Sequence, residues 1–418
     1  MSDYAPDTWS DAPITRKCLS TSKALQDTLK NAMPAIEGNH HTNSEDAAIE
    51  DIKVHFFAEG GYNYLWFISF SSKSSGQDGA TSMYKAILRE PNDDALLPYQ
   101  IENEIAHLIF IANNHPSIPV PKVYAYDTGT TGNQPFILME YIDGQPLSSA
   151  WSTYTEVDKL TAARQVAQII VEMSEITFDR IGGLTLAYDI GPTVEGMKLF
   201  KGRVRSLKVA RLRAYSELTA RLQDKFHSPD CYDIGPYDSM HDYVLACYDK
   251  EIYYYTHAPA STIDQSLFDV VPRDQFVKSL QETRDRLASS PSSFLPEQPF
   301  ALVHNDINGR NIMMRDNKIA AILDWEFAGS YPLSEILAGR GVDMLEMVDE
   351  ETAEENGVWS LRMLELVAEA AIARGKGEEK VKMLVGDGNE ELGLARMEMV
   401  PDVLGEYESD SMAGSDAE

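Results

Sequence analysis

The hydrophobic pattern changes period along the chain. The first 50 residues are weakly patterned and predict one helix, Ser22 to Met33. From Asp51 the runs IKVHFF and YLWFISF are short, β-branched and aromatic, and with the loop AEGGYN between them they predict a hairpin. A polar link, SSKSSGQDGATS, leads to a third strand, MYKAILRE. Helical periodicity then runs from Pro98 to Asn113, with Ile101, Ile105, Leu108 and Ala112 on one face. The prolines of PSIPVPKVYAYD keep that segment extended, and QPFILMEYI is one more strand, closed by the turn Asp143-Gly144.

Beyond this turn the pattern is mainly helical, with periodic segments near 155–176, 201–226, 237–255 and 358–374. One stretch interrupts it. In FALVHNDINGRNIMM, residues 300–314, an apolar strand breaks into His304, Asn305, Asp306, Asn308, Arg310 and Asn311 and then turns apolar again. NIMM, RDNK and IAAIL follow as a hairpin that ends at Asp324. From about Gly375 the composition turns to Gly, Glu, Asp and Ser, which predicts a disordered acidic tail. The expected divisions are an extension over 1–50, a β-rich lobe over 51–140, a helical lobe over 141–375 and the tail over 376–418.

Composition narrows the function classes. At 418 residues the chain is too long for one ordinary core. No apolar run approaches the ~18 residues that a spanning helix needs, so no membrane partner is expected. The N-terminus lacks the basic and apolar regions of a secretory signal. Cys18, Cys231 and Cys247 are odd in number and scattered, so neither a disulfide framework nor a cysteine metal site is expected, and a reducing cytoplasm is the predicted compartment. The net charge is −30, and the last 78 residues, with 21 acidic and 6 basic side chains, carry half of it. Nucleic-acid binding is therefore not expected, because phosphate contact needs clustered Lys and Arg.

The interrupted stretch holds what phosphoryl transfer needs. A carboxylate on a rigid loop, Asp306, can orient a hydroxyl and accept its proton. Asn311 and Asp324, brought together by the hairpin, can hold Mg²⁺ against nucleotide phosphates. The alternative is a hairpin whose polar loop merely caps its strands.

The order of these features resembles the aminoglycoside phosphotransferase and choline kinase-like family, whose fold is related to that of protein kinases. The resemblance spans about residues 50–345 and is strongest in VHNDINGRNIMM and ILDWEFAGSYP. It implies an α+β, bilobal protein kinase-like fold: a small, mainly antiparallel β N-lobe with one key helix, and a larger, mostly helical C-lobe. It also implies ATP and Mg²⁺ as cofactors. Gly60 and Gly61 would let backbone N–H groups approach phosphate, although an ordinary hairpin turn reads the same way. The family's phosphate-binding cation precedes a proline, which selects Arg89 with Lys85 as the alternative, and its ion-pair partner on the next helix would be Glu104, favoured by family position over Glu102. Backbone groups of Glu140 and Ile142 would meet the adenine edge. His304 would pack and hydrogen-bond to hold the loop rather than act as base. Asn305 and Asn308 stand where members often carry Gly and His.

No Ala-Pro-Glu motif, the mark of a protein kinase's peptide platform, follows Asp324. The expected acceptor is a hydroxyl on a small molecule, such as an amino-alcohol, amino-sugar or natural product, and Glu326, Glu335 or acids near 233–251 would attract a cationic one. A protein kinase-like enzyme acting on a protein hydroxyl and an inactive nucleotide-binding scaffold are the competing readings.

Overall fold

A computed structural model describes residues 23–38, 48–73, 81–92, 95–130, 132–195, 228–258, 260, 263, 265–291, 295–387, 390–397 and 399–401. Helix α1 (Lys23–Glu37) is followed by strands β1 (Ala48–Glu59), β2 (Asn63–Lys73) and β3 (Thr81–Pro91), helix α2 (Tyr99–Asn114), and strands β4 (Val123–Asp127) and β5 (Phe136–Glu140). The strands form one antiparallel sheet in the order β1-β2-β3-β5-β4. Alternation in these strands sends Trp66, Ile68, Phe70, Ala86, Leu88 and Leu138 to one face, where they pack with Leu25, Leu29, Ala32 and Met33 of α1. The expected N-terminal extension thus supplies a helix that covers this lobe's sheet.

The opposite face packs on α2 through Ile87, Ile137 and Met139 against Ile101 and Ile105. Periodicity also assigned Ala112 to the buried stripe, but that residue is exposed and Ile111 is buried. The reason is that α2 is sandwiched. The polar residues Gln100, Asn103, Glu104 and His107 are buried against the second lobe. Asn103 Nδ2 donates to the carbonyls of Glu326 (3.1 Å) and Ala328 (2.8 Å), and its Oδ1 accepts from the Leu184 N–H (2.7 Å).

The second lobe is mainly helical. Its helix Glu156–Met173 starts at a capping box between Thr155 and Asp158, and buries Ala163, Val166, Ala167 and Ile170. Two more helices, Met240–His257 and Glu350–Ala373, answer the expected segments near 237–255 and 358–374. The expected helix near 201–226 lies outside the described residues. A helix at Arg273–Ser289 was not foreseen, because only Phe276, Leu280 and Leu287 are buried among its many charges. No described helix is long and apolar enough to cross a membrane.

Two small sheets carry the interrupted stretch. Phe300–Val303 lies between Gly329–Pro332 and Thr177–Phe178, and the hairpin Ile312–Arg315/Lys318–Ile322 adds Gln145–Pro146 at its edge. Ala301, Leu302, Val303, Ile312 and Ile322 all sit in the main core. The expectation of disorder is corrected over the first part of the tail, where helices follow at Glu378–Leu384 and Glu390–Arg396 with Val381, Leu384, Leu392 and Ala395 buried; its remainder, 402–418, lies outside the described residues. Sparse apolar residues in an acidic segment suffice when a core is already there to receive them.

Candidate active site

His304 ends the buried strand and is itself only 1% exposed. Its Nε2 lies 2.9 Å from the Leu323 carbonyl, its Nδ1 accepts from the Asp306 N–H (3.2 Å), and its ring meets Trp325 edge-on. With one ring nitrogen donating and the other accepting, the ring is neutral, and burial lowers its pKa despite the pull of Asp306 and Asp324. It is a strut between the loop and the returning strand, as the resemblance implied.

That strut aims Asp306. Asn308 Nδ2 donates to Asp306 Oδ1 (2.9 Å), Asn311 Nδ2 donates to its Oδ2 (3.0 Å) and its carbonyl (2.8 Å), and Arg310 Nη2 lies 3.1 Å from Oδ1. Both carboxylate oxygens are thus held by side chains within five residues. Asn305, just before, has φ +63°, a left-handed conformation that Asn tolerates better than most residues.

The hairpin then does what its length predicts. The Leu323 N–H donates to the Asn311 carbonyl (2.8 Å), so Asp324 arrives beside Asn311. Trp325, fully buried, donates its indole N–H to Ile322 (2.9 Å) and anchors the turn. From the other lobe Arg89 reaches in: Nη2 meets Asp324 Oδ1 at 2.8 Å and Glu326 Oε2 at 2.5 Å, and Nη1 meets Glu104 Oε1 at 2.8 Å. Burial works to raise the Asp324 pKa, but Arg89 outweighs it and holds the group below the ordinary carboxylate range. For Glu104 and Glu326 burial wins over Arg89, and both are raised. One guanidinium therefore faces three carboxylates.

Glu326 is the residue of this cluster whose place the sequence reading missed. Candidate for attracting a cationic acceptor, it is instead buried, and its Oε2 accepts from Asn63 Nδ2 (2.8 Å) and Gln100 Nε2 (2.7 Å) besides Arg89. It ties together the glycine turn, the start of α2 and the end of β3. The only sequence signal was an acid directly after Asp-Trp.

Gly60 and Gly61 form the expected turn, closed by the Gly60 N–H on the Asn63 carbonyl (2.8 Å), and Tyr62 beside them packs edge-on against Phe327 at 5.4 Å. Lys85 does not join the carboxylates: it is exposed, with Nζ 5.3 Å from the Tyr141 ring centroid. Glu140 ends β5, its N–H on the Lys122 carbonyl (2.9 Å), and Ile142 follows at the junction of the lobes. The structure thus gathers Asp306, Asn311, Asp324, Arg89 and Glu104, while Glu140 and Ile142 stand apart at the junction.

No group of three or more His, Cys, Asp or Glu among the described residues can hold a metal alone. Asn311 and Asp324 fit a hard cation that completes its shell with water and phosphate oxygens, as Mg²⁺ does. Beside Asp306 opens a cavity of about 1100 Å³ whose charged lining includes Arg310, Glu335, Arg340, Asp343 and Arg396.

Residues 74–339 match the phosphotransferase enzyme family, APH. The chain belongs to this family. Curated relatives match over parts of the chain. "Altered inheritance of mitochondria protein 9, mitochondrial" from Kluyveromyces lactis is 31% identical over 117 residues, 25% of this chain and 19% of that protein. The protein of the same name from Debaryomyces hansenii is 24% identical over 168 residues, 37% of this chain and 25% of its own length. The match therefore spans a quarter or less of these relatives. Among solved structures, aminoglycoside phosphotransferase APH(4)-Ia is 12% identical, with 89% of this chain and 96% of that chain covered, at a TM-score of 0.42. The streptomycin-ATP-APH(2")-IIa ternary complex is 13% identical, with 84% and 94% covered, at a TM-score of 0.41.

Proposed function

We propose that this member of the phosphotransferase enzyme family transfers the γ-phosphate of ATP, with Mg²⁺, to a hydroxyl of a small molecule. The observation that carries the reading is the Asp306 carboxylate, fixed by Asn308 and Asn311 at the mouth of the cavity, one hydrogen bond from the Asn311–Asp324 pair.

In this reading the acceptor hydroxyl lies against Asp306, which orients it in line with the γ-phosphorus and takes its proton as the new P–O bond forms and the bond to the β-phosphate oxygen breaks. Bound Mg²⁺, held by Asn311 and Asp324, would supply charge neutralisation on the phosphates. Arg89 fixes Asp324, and Gly60, Gly61, Glu140 and Ile142 would contribute backbone contacts to the nucleotide. Arg310, exposed beside Asp306, is placed to meet negative charge arriving there.

The acceptor side favours a molecule bearing charge of both signs over a polycation. Arg310 and Arg340 face the same cavity as Glu335 and Asp343. Glu335 is buried, and its Oε1 has no hydrogen-bond partner among the described residues, which suits an ammonium or hydroxyl donor. An amino-alcohol, amino-sugar or natural product remains the class to test.

ADP release across a panel of hydroxyl-bearing metabolites and antibiotics, with Asp306→Asn as control, tests the proposal. Turnover on casein-type proteins alone would replace it with a protein kinase-like reading, and ATP binding without ADP release on any acceptor would leave a nucleotide-binding scaffold. A cytoplasmic location is part of the proposal. The relatives' names carry the word mitochondrial, so imaging of the tagged full chain decides between the two compartments.

A further inference from the structure

An arginine in an acidic terminal segment is ordinarily solvated, yet Arg396, the sole basic residue of the helix Glu390–Arg396, is driven inward with a side chain 15% exposed. Its Nη2 meets Glu195 Oε2 at 2.7 Å and Asn305 Oδ1 at 3.1 Å, its Nη1 meets Glu335, and its guanidinium carbon lies 4.8 Å from the Tyr331 ring centroid. Two carboxylates are enough to offset its burial, so the contact with Asn305 is an additional use of the fork.

Asn305 also has a reason to be there. At φ +63° glycine would be free of strain. The asparagine side chain instead spans two segments: Nδ2 donates to the Phe327 carbonyl (2.8 Å) and Oδ1 accepts from Arg396. The residue before Asp306 is thereby tied on one side to the segment that carries Asp324 and Glu326, and on the other to the last described helix. That helix is seated by buried Leu392 and Ala395 and, just beyond it, by the Tyr255 hydroxyl on the Met399 carbonyl (2.6 Å).

We infer that Asn305 and Arg396 are a positioning pair through which the C-terminal helix sets the catalytic loop. The role assigned to the loop rests on the proposed phosphotransferase reading, but the mechanical coupling does not. Seating of Glu390–Arg396 holds Asn305 in its left-handed conformation against Phe327, and Asp306 is aligned as a result. Withdrawal of Arg396 frees Asn305 and lets the loop sample other conformations.

Hydrogen exchange on the full chain, read by mass spectrometry, separates this from simple structural support. Asn305→Gly relieves backbone strain, so its Tm should not fall by more than a few degrees. Exchange should nonetheless rise several-fold both in peptides covering 304–311 and in those covering 390–397. Arg396→Lys keeps a charge for Glu195 and Glu335 but lacks the fork, and should raise exchange at 304–311 similarly. The double variant should be no worse than either single one, because both break the same link. Where ADP release is measurable, each variant should lose about tenfold in kcat with an unchanged KM for ATP. Exchange at 390–397 unaffected by Asn305→Gly, or additive effects in the double variant, would overturn the inference. A wild type that releases no ADP yet shows the reciprocal exchange would instead defeat the phosphotransferase reading and leave the coupling standing.

Discussion

Arg89 Nη2 and Asp324 Oδ1 meet at 2.8 Å although 235 positions separate them in the chain. The contact joins the end of β3 to the end of the hairpin that closes at Asp324, and the same guanidinium holds Glu104 and Glu326. A single cation thus fixes the relative placement of α2, the β lobe and the Asp324 turn. The guanidinium's geometry suits this task better than an ammonium would, because its fork of donors serves several oxygens at once.

Removing that cation should be costly. Arg89→Gln leaves Glu104, Glu326 and Asp324 without their counter-charge, and breaking a buried pair in this way costs about 3–5 kcal/mol. Urea denaturation should show it as a lowered midpoint, with part of the loss recovered on adding Glu326→Gln. An unchanged midpoint would mean that the carboxylates are protonated or solvated in the folded protein.

Asp306→Asn should lower kcat by roughly 10²- to 10⁴-fold while nucleotide affinity stays within a few-fold. Asn retains the shape and the hydrogen bond to Asn308 but cannot accept a proton. Near-normal turnover would remove Asp306 as the base.

Asp324→Ala should abolish Mg²⁺-dependent nucleotide binding, measured by calorimetry with and without chelator. Binding that persists unchanged would assign the metal elsewhere.

Glu326→Gln tests the link to the glycine turn. Its Oε2 accepts from Asn63, Gln100 and Arg89, so an amide oxygen placed there keeps the three contacts but loses the negative charge that strengthens them and pairs with Arg89. We expect a loss of about 1–3 kcal/mol in stability and a raised KM for ATP with a smaller change in kcat. Equal losses in both would point to the Asp324 side rather than the turn.

The acid limb of stability should report Glu195. Burial alone would raise its pKa, but Arg396, Lys250 and the Tyr243 hydroxyl bring it down to about 2, against an ordinary value of 4.5. A carboxyl with a depressed folded-state pKa contributes stability that is complete above its unfolded value and is lost as pH falls toward the folded one. Denaturant midpoints should therefore drop between pH 4.5 and 2, and Glu195→Gln should be less stable at neutral pH with a flatter acid profile. Parallel profiles would show that the ion pair with Arg396 does not form in solution.

Local chemistry explains what was legible beforehand. The run FALV, the polar loop after it and the hairpin closing at Asp324 are specified by neighbours in sequence: alternation sets the strands, and Asp306, Asn308 and Asn311 bond within one loop. Arg89, near the end of β3, is buried among the carboxylates and Lys85 is not, a difference of position along one strand. Harder to see were residues whose meaning depends on what lies opposite. Nothing in the sequence marks Gln100 and Asn103 of α2 as buried, and Glu326 read as an acid that would attract a cationic acceptor.

The sequence by itself thus determined the two-lobed order of elements and the constellation of the candidate loop around Asp306, since periodicity, turns and short-range hydrogen bonds are properties of adjacent residues. Only the tertiary structure decided that α2 is buried on both sides, that Glu326 ties the glycine turn to the second lobe, and that Arg396 returns from an acidic tail to touch Asn305. Burial of a polar side chain is favourable only where distant partners satisfy it, and no pattern within one segment can supply those partners.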